Sequence, residues 1–102
     1  MKKRGQRDKK VYNESFQIPQ ARGNGILKRE VWVDTSGGVT RYSLAYINHR
    51  LCRVDNGRVI GYDNSHGHHH RHYFGRKEAT EFTSYEDIER QFEEEWRTLH
   101  EQ

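Results

Sequence analysis

Alternating apolar and polar positions predict a β-meander in the middle of the chain. Residues 39–47 alternate so that Tyr42, Leu44 and Tyr46 share one face of a strand. Further strands are predicted over residues 27–33, 51–54 and 58–62, and one more over residues 71–74 or 81–82. Turn signals separate them at residues 34–38 and 55–57, while residues 48–50 fit either a bulge or a short turn. The pattern is typical of a mostly antiparallel sheet of four or five strands.

The C-terminal part of the chain has the period of an amphipathic helix. Steps of three and four residues place one apolar stripe along it, formed by Tyr85, Ile88, Phe92, Trp96 and Leu99. A capping box at its start is offered by Thr83 with Glu86 or by Ser84 with Asp87. The stripe is best explained as a packing surface for the sheet. The fold class predicted is therefore α+β, with a single C-terminal helix packed on the meander.

Composition limits the class of protein. The 102 residues are enough for one domain, and an apolar fraction of 31% permits only a small core. The single cysteine, Cys52, cannot form an internal disulfide, so nothing indicates an oxidising compartment. No apolar run approaches the roughly 18 residues of a membrane helix, and there is no signal-peptide pattern. We therefore expect a cytoplasmic protein without a membrane partner.

Charge is distributed unevenly along the sequence. Residues 1–77 carry 16 Lys and Arg against 6 Asp and Glu, whereas residues 78–102 carry 2 against 9. The basic part favours a nucleic-acid ligand, and the alternative explanation is that the two parts simply neutralise each other. Residues 1–25 read as a basic, largely irregular arm, to which Phe16 and Ile18 add at most a short edge strand. Residues 26–102 read as a single α+β domain.

The segment from Tyr62 to His72 holds five of the seven histidines, beside an Asp, an Asn and an Arg. Imidazole changes its charge near neutral pH, transfers protons there and binds metals, so this density favours a functional site over packing. One alternative is a metal site, with His66 and His68 among the ligands and Zn or Ni as the ion. The spacing matches no zinc signature, however, so no cofactor is predicted with the leading interpretation.

The second alternative is metal-free cleavage of RNA. It needs a base for the 2′-hydroxyl, an acid for the leaving 5′-oxygen and cations for the phosphate. Two of His69, His70 and His72 would be base and acid, and Asp63 would orient one imidazole. The predicted cations on the nucleic acid are Arg58, Arg71, Arg76 and Lys77.

The third alternative is binding of nucleic acid without catalysis. Histidine and aromatic rings stack on bases, and basic residues follow the phosphates. Tyr62, Tyr73 and Phe74 alternate with cations as that mode requires, although packing within the sheet explains the same rings equally well.

Three stretches together resemble the TumE family of toxins from prokaryotic toxin–antitoxin operons. They are Tyr42-Ser43-Leu44-Ala45-Tyr46, then Val59-Ile60-Gly61-Tyr62-Asp63-Asn64 with the histidine loop, and Phe82-Thr83-Ser84-Tyr85-Glu86-Asp87-Ile88. The resemblance covers roughly residues 26–99. It implies a compact α+β domain, an antitoxin partner with a DNA-binding helix-turn-helix, and toxicity directed at RNA or translation. The basic first 25 residues and the richness of the histidine tract depart from the family pattern.

The resemblance also implies site residues, carried onto Tyr62, Asp63, Asn64, His69, His70 and His72. The leading hypothesis is a toxin that acts on RNA or translation through a histidine-dependent endoribonuclease site. The alternatives are a non-catalytic nucleic-acid-binding module and a metal-binding protein that uses the histidine loop.

Overall fold

The computed structural model describes residues 8–99, which form one antiparallel sheet and one helix packed on it. The strands pair in chain order: β1 (Lys9–Gln17), β2 (Ile26–Val33), β3 (Val39–Ile47), β4 (Arg58–Asp63), β5 (His70–Tyr73) and β6 (Arg76–Ala79). The helix α1 (Tyr85–Leu99) follows. The predicted α+β meander with a C-terminal helix is confirmed, and the sheet has six strands rather than four or five.

The core lies between α1 and one face of β3 and β4, which we call the helix face. The alternation of β3 places Tyr42, Leu44 and Tyr46 there, and all three are buried. The apolar stripe of α1 covers them with Ile88 and Phe92. The stripe is thus a packing surface, as its spacing predicts. Burial of these aromatic and aliphatic side chains supplies the main stabilisation of so small a domain.

The start of α1 is fixed by side-chain oxygens. Ser84 Oγ accepts a hydrogen bond from the backbone N–H of Asp87 at 3.1 Å, which caps one of the free amides of the first turn. The Thr83 hydroxyl donates to the Asp87 carboxylate. Both residues predicted as alternative caps therefore act together, and Ser84 is the one that caps the backbone.

The expectation of an irregular segment through residue 25 is wrong for residues 9–17, which form the edge strand β1; the short edge strand allowed at Phe16 and Ile18 is longer than expected and includes Phe16 but not Ile18. The predicted arm over residues 1–7 lies outside the described residues. The sequence does not indicate β1 because its apolar residues do not alternate regularly with polar ones. Ion pairs with β2 accompany its backbone ladder instead, joining Lys10 to Glu30 at 2.6 Å and Glu14 to Arg29 at 2.8 Å.

The predicted strand over residues 51–54 is also wrong, because residues 48–57 form a loop. Asn48 is buried, and its Oδ1 accepts hydrogen bonds from the backbone N–H groups of Arg50 and Leu51 at 2.9 and 3.3 Å. Its Nδ2 donates to the Tyr46 hydroxyl at 3.0 Å. One amide side chain thus turns the backbone away from the sheet, which resolves residues 48–50 as a turn.

The hairpin of β5 and β6 contains one predicted strand, β5, and one strand that was not predicted, β6. Strand β5 agrees with the predicted strand over residues 71–74, and residues 81–82 form no strand. The chain reverses at Phe74 and Gly75, whose φ angles are 47° and 84°. Two successive positive φ values are typical of the tight turn that fits the twist of a hairpin. Strand β6, which has no large apolar residue, follows directly.

Gly61 leaves space for the Arg58 side chain on the surface of β4. A Cβ atom at Gly61 would meet Arg58 Cδ at 2.7 Å and the backbone oxygen of Leu44 at 2.9 Å. The Leu44 oxygen belongs to the backbone of the adjacent strand β3, so it cannot move without displacing that strand. A glycine is therefore required where the Arg58 side chain crosses the strand towards Asp63.

We expect Gly61→Ala to lower the free energy of unfolding by about 1–3 kcal/mol, because overpacking forces the strands apart or displaces Arg58. Gly38→Ala is the matched control, since its Cβ would meet only the Asp34 carboxylate at 3.5 Å or more. The control should change stability by about 0.5 kcal/mol or less. Urea unfolding of both variants measures the difference, and equal midpoints would contradict the packing argument.

Candidate functional site

The histidine segment is divided between the two faces of the sheet. Strand alternation directs Tyr62 and Arg71 to the helix face, where both contact Glu95 of α1. Asp63 and His72 point to the opposite face, which we call the histidine face. The predicted site residues therefore do not form one cluster.

Four ionisable side chains form a compact group on the histidine face, which we call the Asp63 network: Asp55, Arg58, Asp63 and His72. His72 Nε2 lies 2.7 Å from Asp63 Oδ2, and His72 Nδ1 lies 3.7 Å from Asp55 Oδ2. Arg58 donates to both carboxylate oxygens of Asp55, at 2.8 and 2.9 Å. These hydrogen bonds from Arg58 lower the pKa of Asp55. Asp63 and His72 are each only 7% exposed, so the centre of the network is buried and joins the end of β4 to β5.

His70 lies beside this network and is less buried. Its Nδ1 lies 3.9 Å from Asp63 Oδ1 and has no hydrogen-bond partner, although the atom is buried. Burial and the nearby Lys77 ammonium lower the pKa of His70, and the Asp63 carboxylate opposes that shift. At neutral pH the ring is therefore biased towards its neutral form, which is the form that a general base needs.

Three imidazoles form a row on this face, which we call the histidine row. The ring centroids of His68 and His70 are 6.1 Å apart, and those of His70 and His72 are 6.5 Å apart. Exposure decreases along the row: His68 is exposed, His70 is intermediate and His72 is buried. The row thus leads from solvent to the Asp63 network.

His69 belongs to a different environment. Its Nδ1 is hydrogen-bonded to the Tyr42 hydroxyl at 2.8 Å, and its ring stacks on Phe82 with centroids 4.0 Å apart. Burial lowers the pKa of His69. Burial, together with the Asp63 carboxylate, raises the pKa of Tyr42 to about 12. The Tyr42 hydroxyl therefore keeps its proton and holds the His69 ring in place.

Tyr62, Asn64 and Arg71 hold the framework together. Asn64 Oδ1 accepts from the Tyr42 amide and Nδ2 donates to the Thr40 carbonyl, both at 3.0 Å, so its side chain extends the pairing of β4 with β3. Tyr62 donates to Glu95 of α1, and burial is the main cause of its raised pKa. The Arg71 guanidinium is bound by Glu95 and, at 2.7 Å, by Glu78. These contacts explain the positions of the three side chains, and their predicted roles on RNA stay predictions.

The other predicted cations differ in their surroundings. Lys77 is exposed and pairs with His72 in the β5–β6 register, which places it on the histidine face. Arg76 lies 5.9 Å from the centroid of the Tyr73 ring. Arg58 is committed to the Asp63 network. Among the four, Lys77 is the cation best placed beside the histidine row.

Arg41 and Trp32 are not among the site residues predicted from the sequence. They face each other across β2 and β3, on the histidine face, with the guanidinium 4.6 Å from the centroid of the indole. Arg41 is exposed and borders a cleft of about 660 Å³ at the histidine loop. The cleft is lined by Asp8, Thr40, Arg41, Asn64, Ser65, His66, Gly67 and His69. Arg41 follows Trp32 by nine positions in the sequence, so only the strand pairing reveals that they form one surface.

Metal binding receives no support from the positions of the side chains. Across residues 8–99, no three His, Cys, Asp or Glu side chains are grouped so that they could hold an ion. His66, one of the two ligands predicted for that case, lies in the loop with φ at 62° and is exposed. The prediction of Zn or Ni binding is not tested by this observation.

The fold and site define a small α+β protein in which a histidine-rich strand lies on the sheet face opposite a single amphipathic helix. The profile of the family described as Toxin TumE matches residues 24–102. The chain therefore belongs to the TumE family of toxins, and the family implies a cognate antitoxin as its partner. Neither a curated protein nor a solved structure gives a significant match. In residues 8–99 there is no helix with the length and apolar character needed to cross a membrane.

We expect Asp63→Ala to lower the free energy of unfolding by about 3 kcal/mol, because Arg58 would lose a buried counter-charge and the buried His72 would lose its hydrogen-bond partner. Glu94→Ala removes an exposed carboxylate, which pairs with Arg90 at 3.4 Å, and should cost about 0.5 kcal/mol or less. Urea unfolding at pH 7 compares the two. Equal costs would show that the Asp63 network does not support this face.

Proposed function

We propose that this toxin cleaves RNA on the histidine face of the sheet. The observation that carries the proposal is the pair of neighbouring imidazoles, His68 and His70, of which one is exposed and the other rests on the Asp63 network. Two proton-transferring groups side by side, next to cations, are what metal-free cleavage of a phosphodiester requires. Membership of a toxin family makes cellular RNA a reasonable target class.

The spacing of the two rings suits a single phosphodiester group. The base acts on the 2′-hydroxyl and the acid acts on the 5′-oxygen, and these oxygens lie on opposite sides of the phosphorus. Each group must come within about 2.6–3.2 Å of its own oxygen, so the two imidazoles have to be several ångströms apart. A centroid separation of 6.1 Å meets this condition.

The proposed reaction is an internal transesterification. Neutral His70 removes the proton from the 2′-hydroxyl, and the 2′-oxygen forms a bond to phosphorus. The bond from phosphorus to the 5′-oxygen breaks, and protonated His68 supplies the proton to that leaving oxygen. The products are a 2′,3′-cyclic phosphate and a free 5′-hydroxyl, with one proton taken up and one released.

The remaining site residues support this pair in our proposal. Asp63 and His72 are positioning residues, because they are buried against the side of His70 that faces away from solvent. Tyr62 ties β4 to α1, and Asn64 and His69 tie the histidine loop to β3 through the hydrogen bonds described above. They affect the reaction indirectly, because their hydrogen bonds hold the histidine loop in its shape.

RNA would approach along the cations and the aromatic ring of the histidine face. Lys77 lies on one side of the histidine row, and Arg41 borders the cleft at its other side. Trp32 beside Arg41 offers a ring for stacking on a base, as single-strand-binding surfaces do. The same surface would serve a non-catalytic RNA-binding module, which is the second candidate function. For the antitoxin, we propose a DNA-binding helix-turn-helix domain.

We expect His70→Ala and His68→Ala each to slow RNA cleavage about 100-fold or more, which is the lower range of general acid–base catalysis. His66→Asn is the matched control, because His66 lies in the same loop with a positive φ that asparagine tolerates. Cleavage of a fluorescent RNA by purified protein and growth after induction give the two readouts. Unchanged cleavage by both alanine variants would remove the histidine pair from the mechanism, and absence of cleavage by the natural protein would favour the binding module.

We also expect kcat/KM to fall as the pH is lowered through the pKa of His70, because the base must be neutral. The midpoint should lie below the ordinary imidazole value of about 6.5, since burial and Lys77 lower this pKa. Lys77→Met should move the midpoint to higher pH, whereas Arg76→Met should leave it in place. A midpoint that does not respond to Lys77→Met would contradict the assignment of His70 as the base.

A further inference from the structure

A long groove lies on the opposite side of the sheet, between α1 and strand β1. The helix packs on β3 and β4 and reaches β2, where Val31 is buried, so the helix face of β1 is left without a covering element among residues 8–99. Three cavities of about 540, 260 and 490 Å³ follow one another along this space. The first two share Arg29 and Glu89, and the last two share Trp96, so they are continuous. We call this space the α1–β1 groove.

Apolar side chains line the groove and are exposed within it. Tyr12 and Phe16 of β1 are 44% and 63% exposed, although both stand opposite buried or half-buried residues of β2. Phe92 and Trp96 form the wall on α1. Exposed aromatic residues beside an apolar groove are typical of a surface that another chain covers.

Charged side chains of both signs line the groove, and most of the carboxylates are paired. Arg29 crosses its floor, bound to Glu14 of β1 at 2.8 Å and to Glu89 of α1 at 2.5 Å. Glu93 is bound to Arg97 at 2.7 Å. Glu86 also lines the groove, and it forms no ion pair within residues 8–99. The part of α1 that lines the groove thus carries three glutamates against Arg97, and Glu86 is the one without an ion pair among residues 8–99, while Arg22 and Lys28 also line the groove.

We infer that the α1–β1 groove binds a segment of the antitoxin that has an apolar stripe flanked by Lys or Arg. The wall runs from Tyr85 to Trp96, which is about 17 Å of helix, so it would accommodate roughly three turns of an amphipathic helix. Basic residues beside the stripe would lie against Glu86 and the edge of α1. This inference rests on the antitoxin that the family implies and does not depend on RNA cleavage.

The position of the groove has a consequence for toxicity. Tyr12 and Phe16 project from the helix face, while the histidine row lies on the other face. A substitution in the groove should therefore weaken the antitoxin without touching the groups proposed to act on RNA. Such a variant would remain toxic and escape neutralisation.

The test uses the full-length toxin and the purified protein encoded next to it in its operon. We expect Phe16→Asp to raise the Kd of the complex at least about tenfold, because it places a charge against an apolar partner. Phe74→Asp is the matched control, since Phe74 is an exposed aromatic residue outside the groove, and its Kd should change less than about threefold. Co-expression provides the second readout, in which Phe16→Asp arrests growth despite the antitoxin.

A charge reversal tests the contribution of Glu86 to binding separately from that of the apolar side chains. Glu86→Lys should raise the Kd about three- to tenfold, and the difference should shrink at high salt. Glu94→Lys, which changes an exposed glutamate of α1 outside the groove lining, should have little effect. Circular dichroism confirms that each variant is folded.

Equal affinities for the natural protein and Phe16→Asp would overturn the inference, as would a neighbouring gene product that does not bind. Binding is measured without RNA, so this outcome says nothing about the ribonuclease proposal. Conversely, loss of cleavage by His70→Ala with unchanged antitoxin binding would leave the groove assignment intact.

Discussion

The Asp63 carboxylate lies at the end of β4, where it joins three parts of the structure. One oxygen is hydrogen-bonded to His72 of β5, and the other accepts the backbone N–H of Ser65 at 3.1 Å. Arg58 reaches the same carboxylate across Gly61. The start of the histidine loop, the pairing of β4 with β5 and the packing beneath His70 all depend on this buried charge. Its removal would take a carboxylate from Arg58 and the hydrogen-bond partner from the buried His72 Nε2.

Strand alternation gives neighbouring residues of the Tyr-Asp-Asn motif different tasks. Tyr62 ties the sheet to α1, Asp63 supports the histidine row, and Asn64 closes the end of β3. The two faces of one thin sheet can therefore carry two partners. We propose that RNA binds the histidine face and that the antitoxin binds the helix face, in the α1–β1 groove. Each surface could then change in sequence without disturbing the other.

The sequence predicted the elements that bury apolar residues, and it failed where polar contacts decide the structure. Strand β3 and helix α1 have clear apolar periods and were predicted correctly. Strand β1 lacks such a period, and the turn at Asn48 depends on one buried amide. The histidine segment was located, but its division between two faces follows from the register of β4 with β5. Trp32 beside Arg41 was missed because local sequence carries no signal of that pairing.

The chemistry of the RNA ends tests the central claim most directly. The purified toxin would be incubated, in the presence of a chelator, with a short RNA and with the same RNA carrying a single 2′-deoxynucleotide at the cleaved position. The account predicts 2′,3′-cyclic phosphate ends from the first RNA and no cleavage at that position in the second, because the 2′-oxygen is the nucleophile. Cleavage of the deoxy-substituted position, or products with a 3′-hydroxyl, would contradict it.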